Sequence, residues 1–191
     1  MSARRGNVFV VSGPSGVGKS TIVRRVLESD PQVRFSVSHT TRARREGEQD
    51  GVDYRFVDLP AFQALIAKGA FLEHAEYQGN YYGTSRAAVE EPTRLGFDLI
   101  LEVEVQGAKQ LQTRLPNAIR VFIRPPSLAS LETRLRARNT EDASVARGRL
   151  ERAREELLYA DECQHRIVND SVDKAVDELL RVIRDARRAA T

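Results

Sequence analysis

The sequence predicts an α/β fold, a parallel sheet core flanked by helices and interrupted by two inserted segments. Three observations predict it. Strand-like and helix-like segments alternate along the 191 residues, as they do where parallel strands are joined through helices. Phe97 to Val103 is nearly all apolar, as expected of a central strand buried on both faces. Between the first strand-like and helix-like segments lies a glycine-rich turn ending in Lys19-Ser20.

The elements follow in order. Asn7–Ser12 is short, apolar and strand-like, and Thr21–Leu27 has helical spacing that ends near Asp30-Pro31. Val33–Ser38 alternates with period two, so a half-buried strand is expected there. A polar loop spans 39–53, followed by a short strand at Tyr54–Val57. Asp58 is placed to cap a helix with Pro60 in its first turn and Gly69 as its stop. Phe71–Tyr77 is extended, Gly79–Gly83 is expected to be a turn, and Ser85 caps a helix running to Leu95-Gly96. Beyond the apolar strand come a helix around Ala108–Leu115, a strand at Ala118–Ile123 broken by Pro125-Pro126, and a helix capped by Ser127. Arg136–Glu156 is almost wholly charged or small and can bury little, so it reads as a mobile helical hairpin or lid. Ile167-Val168 is a last short strand, and Ser171 caps a C-terminal amphipathic helix. The expected partition is one domain: a core of residues 1–37, 96–129 and 157–191, an insert 38–95 and a lid 130–156.

Composition narrows the function classes. The net charge is only +3, from 30 basic and 27 acidic residues, and no nucleic-acid motif accompanies it. The arginines recur in local runs while lysine is scarce. Arginine suits a phosphate-rich substrate through planar bidentate pairing, although a solvated surface would look the same. Cys163 is the only cysteine, which excludes an intramolecular disulfide and suits a reducing compartment. No Cys/His spacing suggests zinc, no stretch approaches the ~20 apolar residues of a membrane span, and Met1–Arg5 has no apolar leader. The expectation is a cytoplasmic protein with small-molecule substrates and neither nucleic-acid nor membrane partners. A homo-oligomer is compatible with the sequence but cannot be read from it.

The chemistry is concentrated in Gly13-Pro14-Ser15-Gly16-Val17-Gly18-Lys19-Ser20, which fits G-x-x-x-x-G-K-[ST] between a strand and a helix. The glycines let backbone N–H groups turn around a phosphate, and the lysine can reach the β/γ-phosphates. The serine hydroxyl can ligate Mg²⁺. The anion lies at a helix N-terminus. These eight residues with Thr21 are therefore the candidate nucleoside-triphosphate site of a P-loop NTPase-type core.

Further segments occur in order after that loop: Phe35-Ser36-Val37-Ser38-His39-Thr40-Thr41-Arg42, Gly51-Val52-Asp53-Tyr54, Phe71-Leu72-Glu73, Gly79-Asn80-Tyr81-Tyr82-Gly83-Thr84 and Gln106-Gly107. Together they resemble guanylate kinases, P-loop nucleoside monophosphate kinases, along essentially the whole chain. The resemblance implies transfer of the γ-phosphoryl of ATP to GMP with Mg²⁺, a GMP-binding insert and a helical lid. It implies that Arg42, Arg45, Tyr54 and Tyr82 hold the GMP phosphate, and that Ser38, Glu73 and Thr84 contact the base. A carboxylate at Glu73 can accept from N1–H and the 2-amino group of guanine, which adenine lacks. By the same resemblance Glu102, with Ser20, supports the metal and Glu104 lies near GMP. The family usually carries aspartate at both glutamate positions. Lys19 and Arg42, with Arg134, Arg138 and Arg149 of the lid region, are the implied catalytic cations, and Asn169 lies beside the adenine of ATP. Two other readings use the same residues. A non-catalytic guanylate-kinase-like phosphopeptide module would be expected to have a degraded P-loop. A related small-molecule kinase would not need Ser38, Glu73 and Thr84 facing a base.

Overall fold

The computed structural model describes residues 4–77, 79–137 and 143–190. Five parallel strands form the main sheet: β1 (Val8–Ser12), β2 (Val33–Phe35), β7 (Asp98–Glu102), β8 (Ile119–Arg124) and β9 (His165–Val168), in the order β2-β7-β1-β8-β9. A second sheet, in the order β4-β3-β6-β5, holds β3 (His39–Thr40), β4 (Arg55–Phe56), β5 (Phe71–Tyr77) and β6 (Asn80–Ser85). The helices are α1 (Lys19–Ser29), α2 (Leu59–Ala67), α3 (Arg86–Arg94), α4 (Val105–Arg114), α5 (Leu128–Ala137), α6 (Ala143–Leu158) and α7 (Val172–Ala189). No helix among the described residues is long and apolar enough to cross a membrane.

Successive residues of a strand point to opposite faces, and the two hydrophobic clusters follow that alternation. Phe9, Val11, Ile100, Val121 and Ile123 face α1 and α7, packing on Ile22, Val26, Leu179 and Ile183. Val10, Leu99, Leu101 and Phe122 face the other way, onto Val89 of α3, Ala108 and Leu111 of α4, and Tyr159. Both faces of the parallel sheet are thus covered, which explains its near-continuous apolar strands. Asp98, at the start of β7, is fully buried and paired with Arg4 and Arg187.

Local signals placed several elements correctly. The Asp58 carboxylate accepts from the Ala61 N–H at 2.8 Å and starts α2. The Ser85 hydroxyl accepts from Ala88 N–H and starts α3. Two expectations are corrected. Asn80–Ser85 is a strand, and only Gly79, at φ 73°, retains turn geometry within the expected turn. β6 pairs antiparallel with β5 from Tyr77↔Asn80 to Phe71↔Ser85 and also with β3, so pairing on both sides overrides the turn-forming glycines. The strand expected over Val33–Ser38 ends at Phe35, because the chain leaves the main sheet there and joins the second one at His39.

Candidate active site

Parallel pairing of β1 with β7 sets Val11 beside Glu102, and β1 runs directly into the glycine loop. Ligands bind beyond the carboxyl ends of such strands. Gly13 has φ 148°, and a Cβ there would lie 2.4 Å from the Ile123 carbonyl oxygen, so the loop can follow this path only with glycine. Lys19, 7 % exposed, donates to the Gly13 carbonyl at 2.6 Å and the Pro14 carbonyl at 3.3 Å. The Ser20 hydroxyl donates to Glu102 Oε1 at 2.6 Å. Burial raises the Glu102 pKa and the adjacent Glu104 adds to that, against the pull of Lys19 and Ser20. Among the described residues no group of three or more His, Cys, Asp or Glu could hold a metal by itself. The Ser20 and Glu102 oxygens are nevertheless the hard donors that Mg²⁺ accepts when phosphates complete its shell.

A cationic and aromatic cluster lies at the edge of the second sheet. Arg42 donates to Glu48 at 2.6 Å, and the other Glu48 oxygen accepts from the Arg45 N–H at 2.8 Å. The Arg42 guanidinium stands 5.5 Å from the centre of the Tyr54 ring, and Tyr54 lies edge-on to Tyr82 at 6.0 Å. The bond to Glu48, foremost, raises the Arg42 pKa, and Tyr82 adds to it. Burial first, then the Glu102 charge, pushes the Tyr54 phenol up to about 12, so it stays a proton donor at neutral pH.

Glu73 lies on the edge strand β5, against Gly107 of α4. It is 4 % exposed and opposite Thr84 in the β5–β6 ladder, just past a register slip between Phe71 and Glu73. Such irregularities re-aim side chains. Burial raises its pKa, while hydrogen bonds from the Thr84 hydroxyl and amide and the charge of Arg114 pull it down. The Thr84 hydroxyl in turn lies 3.4 Å from the Ser38 hydroxyl. Ser38, Glu73 and Thr84 therefore form one polar patch.

At Val17 of the glycine loop, the Asn169 amide donates to the backbone carbonyl at 2.8 Å. Arg134 donates to the same carbonyl at 3.2 Å and to the Asn169 carbonyl at 2.9 Å. A Cβ at Gly18, whose φ is 99°, would lie 2.6 Å from Asn169 Nδ2. Asn169 Oδ1 is buried and has no hydrogen-bond partner among the described residues.

The sequence profile described as "Guanylate kinase" matches residues 5–186. The chain belongs to the guanylate kinase family. It is 48 % identical over 187 residues to the guanylate kinase of Bordetella pertussis, covering 98 % of this chain and 87 % of that one. It is 47 % identical over 175 residues to the guanylate kinase of Chromohalobacter salexigens, covering 92 % and 81 %. The crystal structure of guanylate kinase from Anaplasma phagocytophilum superposes with a TM-score of 0.80 at 32 % identity, covering 97 % of this chain and 88 % of that one.

The structure brings Lys19, Ser20 and Glu102 together, Arg42 with Tyr54 and Tyr82, and Ser38 with Glu73 and Thr84. Arg45 shares the loop of Arg42 but its side chain is exposed. Glu104 precedes α4, and its Oε2 is buried without a hydrogen-bond partner among the described residues. Arg134 is held against the Val17 carbonyl of the glycine loop and the Asn169 carbonyl. Arg138 lies outside the described residues, and Arg149 belongs to α6. Sequence reasoning missed two acids. Glu48 holds Arg42, and the only signal was a carboxylate six residues beyond that arginine. Glu156 is half-buried near the end of α6. Burial, reinforced by Glu104, pushes its pKa up to about 7 against Lys19, the Ser15 amide and Arg152. Nothing in the charged run around it distinguished it.

Proposed function

We propose the following division of labour for the family's reaction, ATP + GMP ⇌ ADP + GDP. Residues 13–21 hold the triphosphate of ATP, with Asn169 beside its base. Residues 38–95 form the GMP-binding insert: Arg42, Arg45, Tyr54 and Tyr82 grip the GMP phosphate, and Ser38, Glu73 and Thr84 contact guanine, with Glu104 nearby. Residues 130–156 form a lid whose closure excludes water, the competing phosphoryl acceptor.

The attacking GMP phosphate oxygen is already anionic, so no strong general base is needed. Catalysis rests on positioning and on cations facing the transferring group. Lys19 and Arg42 supply charge from the core and insert, and Arg134, Arg138 and Arg149 supply it from the lid side. Ser20 and Glu102 are the residues that would hold Mg²⁺. Held there, Mg²⁺ would supply charge neutralisation for the phosphates during transfer. The cytoplasm, where a lone thiol stays reduced, is the compartment this reading assigns.

The observation that carries the acceptor assignment is the burial of Glu73 against Thr84. Thr84 meets part of the carboxylate's acceptor capacity, and the N1–H and 2-amino group of guanine would meet the rest. Glu73→Gln is expected to lose the preference for GMP over AMP by roughly 10²-fold or more. An unchanged preference would place base recognition elsewhere.

A further inference from the structure

Gly107 sits inside α4, where glycine is less favourable than alanine. Its backbone is not among the positive-φ glycines of this chain, so the helix does not require glycine there. The neighbouring strand does. A Cβ at position 107 would lie 2.6 Å from Glu73 Oε2 and 3.2 Å from its carboxyl carbon. Real Cβ atoms do not come that close, so a side chain at 107 would displace the Glu73 carboxylate from this position.

The same helix face prevents β5 from moving aside. β5 is an edge strand of its sheet, and α4 covers part of its free edge with side chains. The Gln110 amide accepts from the His74 N–H at 3.3 Å and donates to the His74 carbonyl at 2.8 Å. Arg114 donates to the Phe71 carbonyl at 3.3 Å and the Leu72 carbonyl at 2.9 Å. Positions 107, 110 and 114 lie on one side of the helix. Two of them grip the backbone around Glu73, and the third leaves room for its carboxylate.

We propose that Gly107 is a specificity-determining position for the acceptor base: the side chain it lacks is the space the Glu73 carboxylate occupies while it engages guanine. Gln110 and Arg114 act as positioning residues that keep strand and helix at this distance. The proposal rests on Glu73 as the base-contacting residue.

The test compares kcat/KM for GMP and for IMP, which lacks the 2-amino group, in Gly107→Ala, Glu73→Asp, the double variant and Glu73→Gln. Gly107→Ala is expected to lower kcat/KM for GMP by about 10-fold and to reduce the GMP:IMP ratio, with the KM for ATP unchanged. In the Glu73→Asp background, where the carboxylate is retracted by one methylene, the same substitution should cost about 2-fold or less. Equal losses in both backgrounds, or an unchanged GMP:IMP ratio in Gly107→Ala, would overturn the proposal. Should Gly107→Ala alone fail to fold, a folded and active double variant supports the same contact, and failure of both refutes it. An unchanged ratio in Glu73→Gln would instead overturn the reading beneath it, since the base would then be contacted by other groups.

Discussion

The Ser20 hydroxyl donates to the Glu102 carboxylate at 2.6 Å across 82 positions of sequence. The contact exists because β1 and β7 are parallel neighbours whose pairing puts Glu102 level with Val11, and α1 begins one loop later. It joins the two residues proposed to hold Mg²⁺. Glu102→Ala should raise the Mg²⁺ concentration needed for half-maximal rate by roughly 10- to 100-fold, with a smaller effect from Glu102→Asp. Titration of activity against free Mg²⁺ checks this, and equal requirements in all three proteins would remove Glu102 from the metal site.

Lys19 is held by the carbonyls of its own loop, poised where the triphosphate is proposed to bind. Its loss removes a preorganised cation without opening the core. Lys19→Ala should lower kcat by roughly 10²- to 10³-fold or more while the far-ultraviolet circular dichroism spectrum stays unchanged. Near-normal turnover would take the loop out of the mechanism.

Glu156 connects stability to pH. Its pKa is about 7 in the folded chain, raised by burial and by Glu104, against an ordinary 4.5. A carboxylic acid raised in this way favours the fold fully below 4.5. That contribution is lost as pH climbs through 7, because the unfolded chain releases the proton first. Glu156→Gln should therefore flatten part of the decline in stability between about pH 5 and about pH 8. Glu73 and Glu102, also raised by burial, leave a residual slope of the same sign. Urea midpoints at the two pH values decide it, and an undiminished decline would show that Glu156 does not contribute.

Asp98 is fully buried and binds Arg4, the Asn7 N–H and Arg187. It ties the N-terminal segment and α7 to the start of β7, away from the proposed chemistry. Removing one member of a buried ion network leaves its partners uncompensated, so Asp98→Ala should cost about 3 kcal/mol. For a chain of this size that is a fall in Tm of roughly 6–12 °C. Differential scanning calorimetry measures it, and kcat at low temperature should be little changed.

The parts that could be read from sequence are those whose bonds are local. The glycine loop, the Asp58 cap of α2 and the Ser85 cap of α3 each close within a few residues, so spacing reveals them. β6 hid because Tyr81, Tyr82 and Thr84 owe their extended conformation to β3 and β5, while Gly79 and Gly83 suggest a turn. Glu48 and Glu156 hid because a carboxylate in a polar loop or a charged helix looks solvated until its partner is placed. Gly107 hid because the expected helix begins around Ala108, which leaves the glycine at its boundary, whereas α4 begins at Val105 and encloses it. Only the fold identifies its neighbour as Glu73.

The most direct measurement is ADP formation from ATP and Mg²⁺ with GMP, AMP, CMP and UMP offered separately. Turnover with GMP, and little with the other three, is the predicted result. Comparable turnover with AMP would contradict base selection by Glu73, and GMP binding without any phosphoryl transfer would contradict the catalytic assignment of residues 13–21.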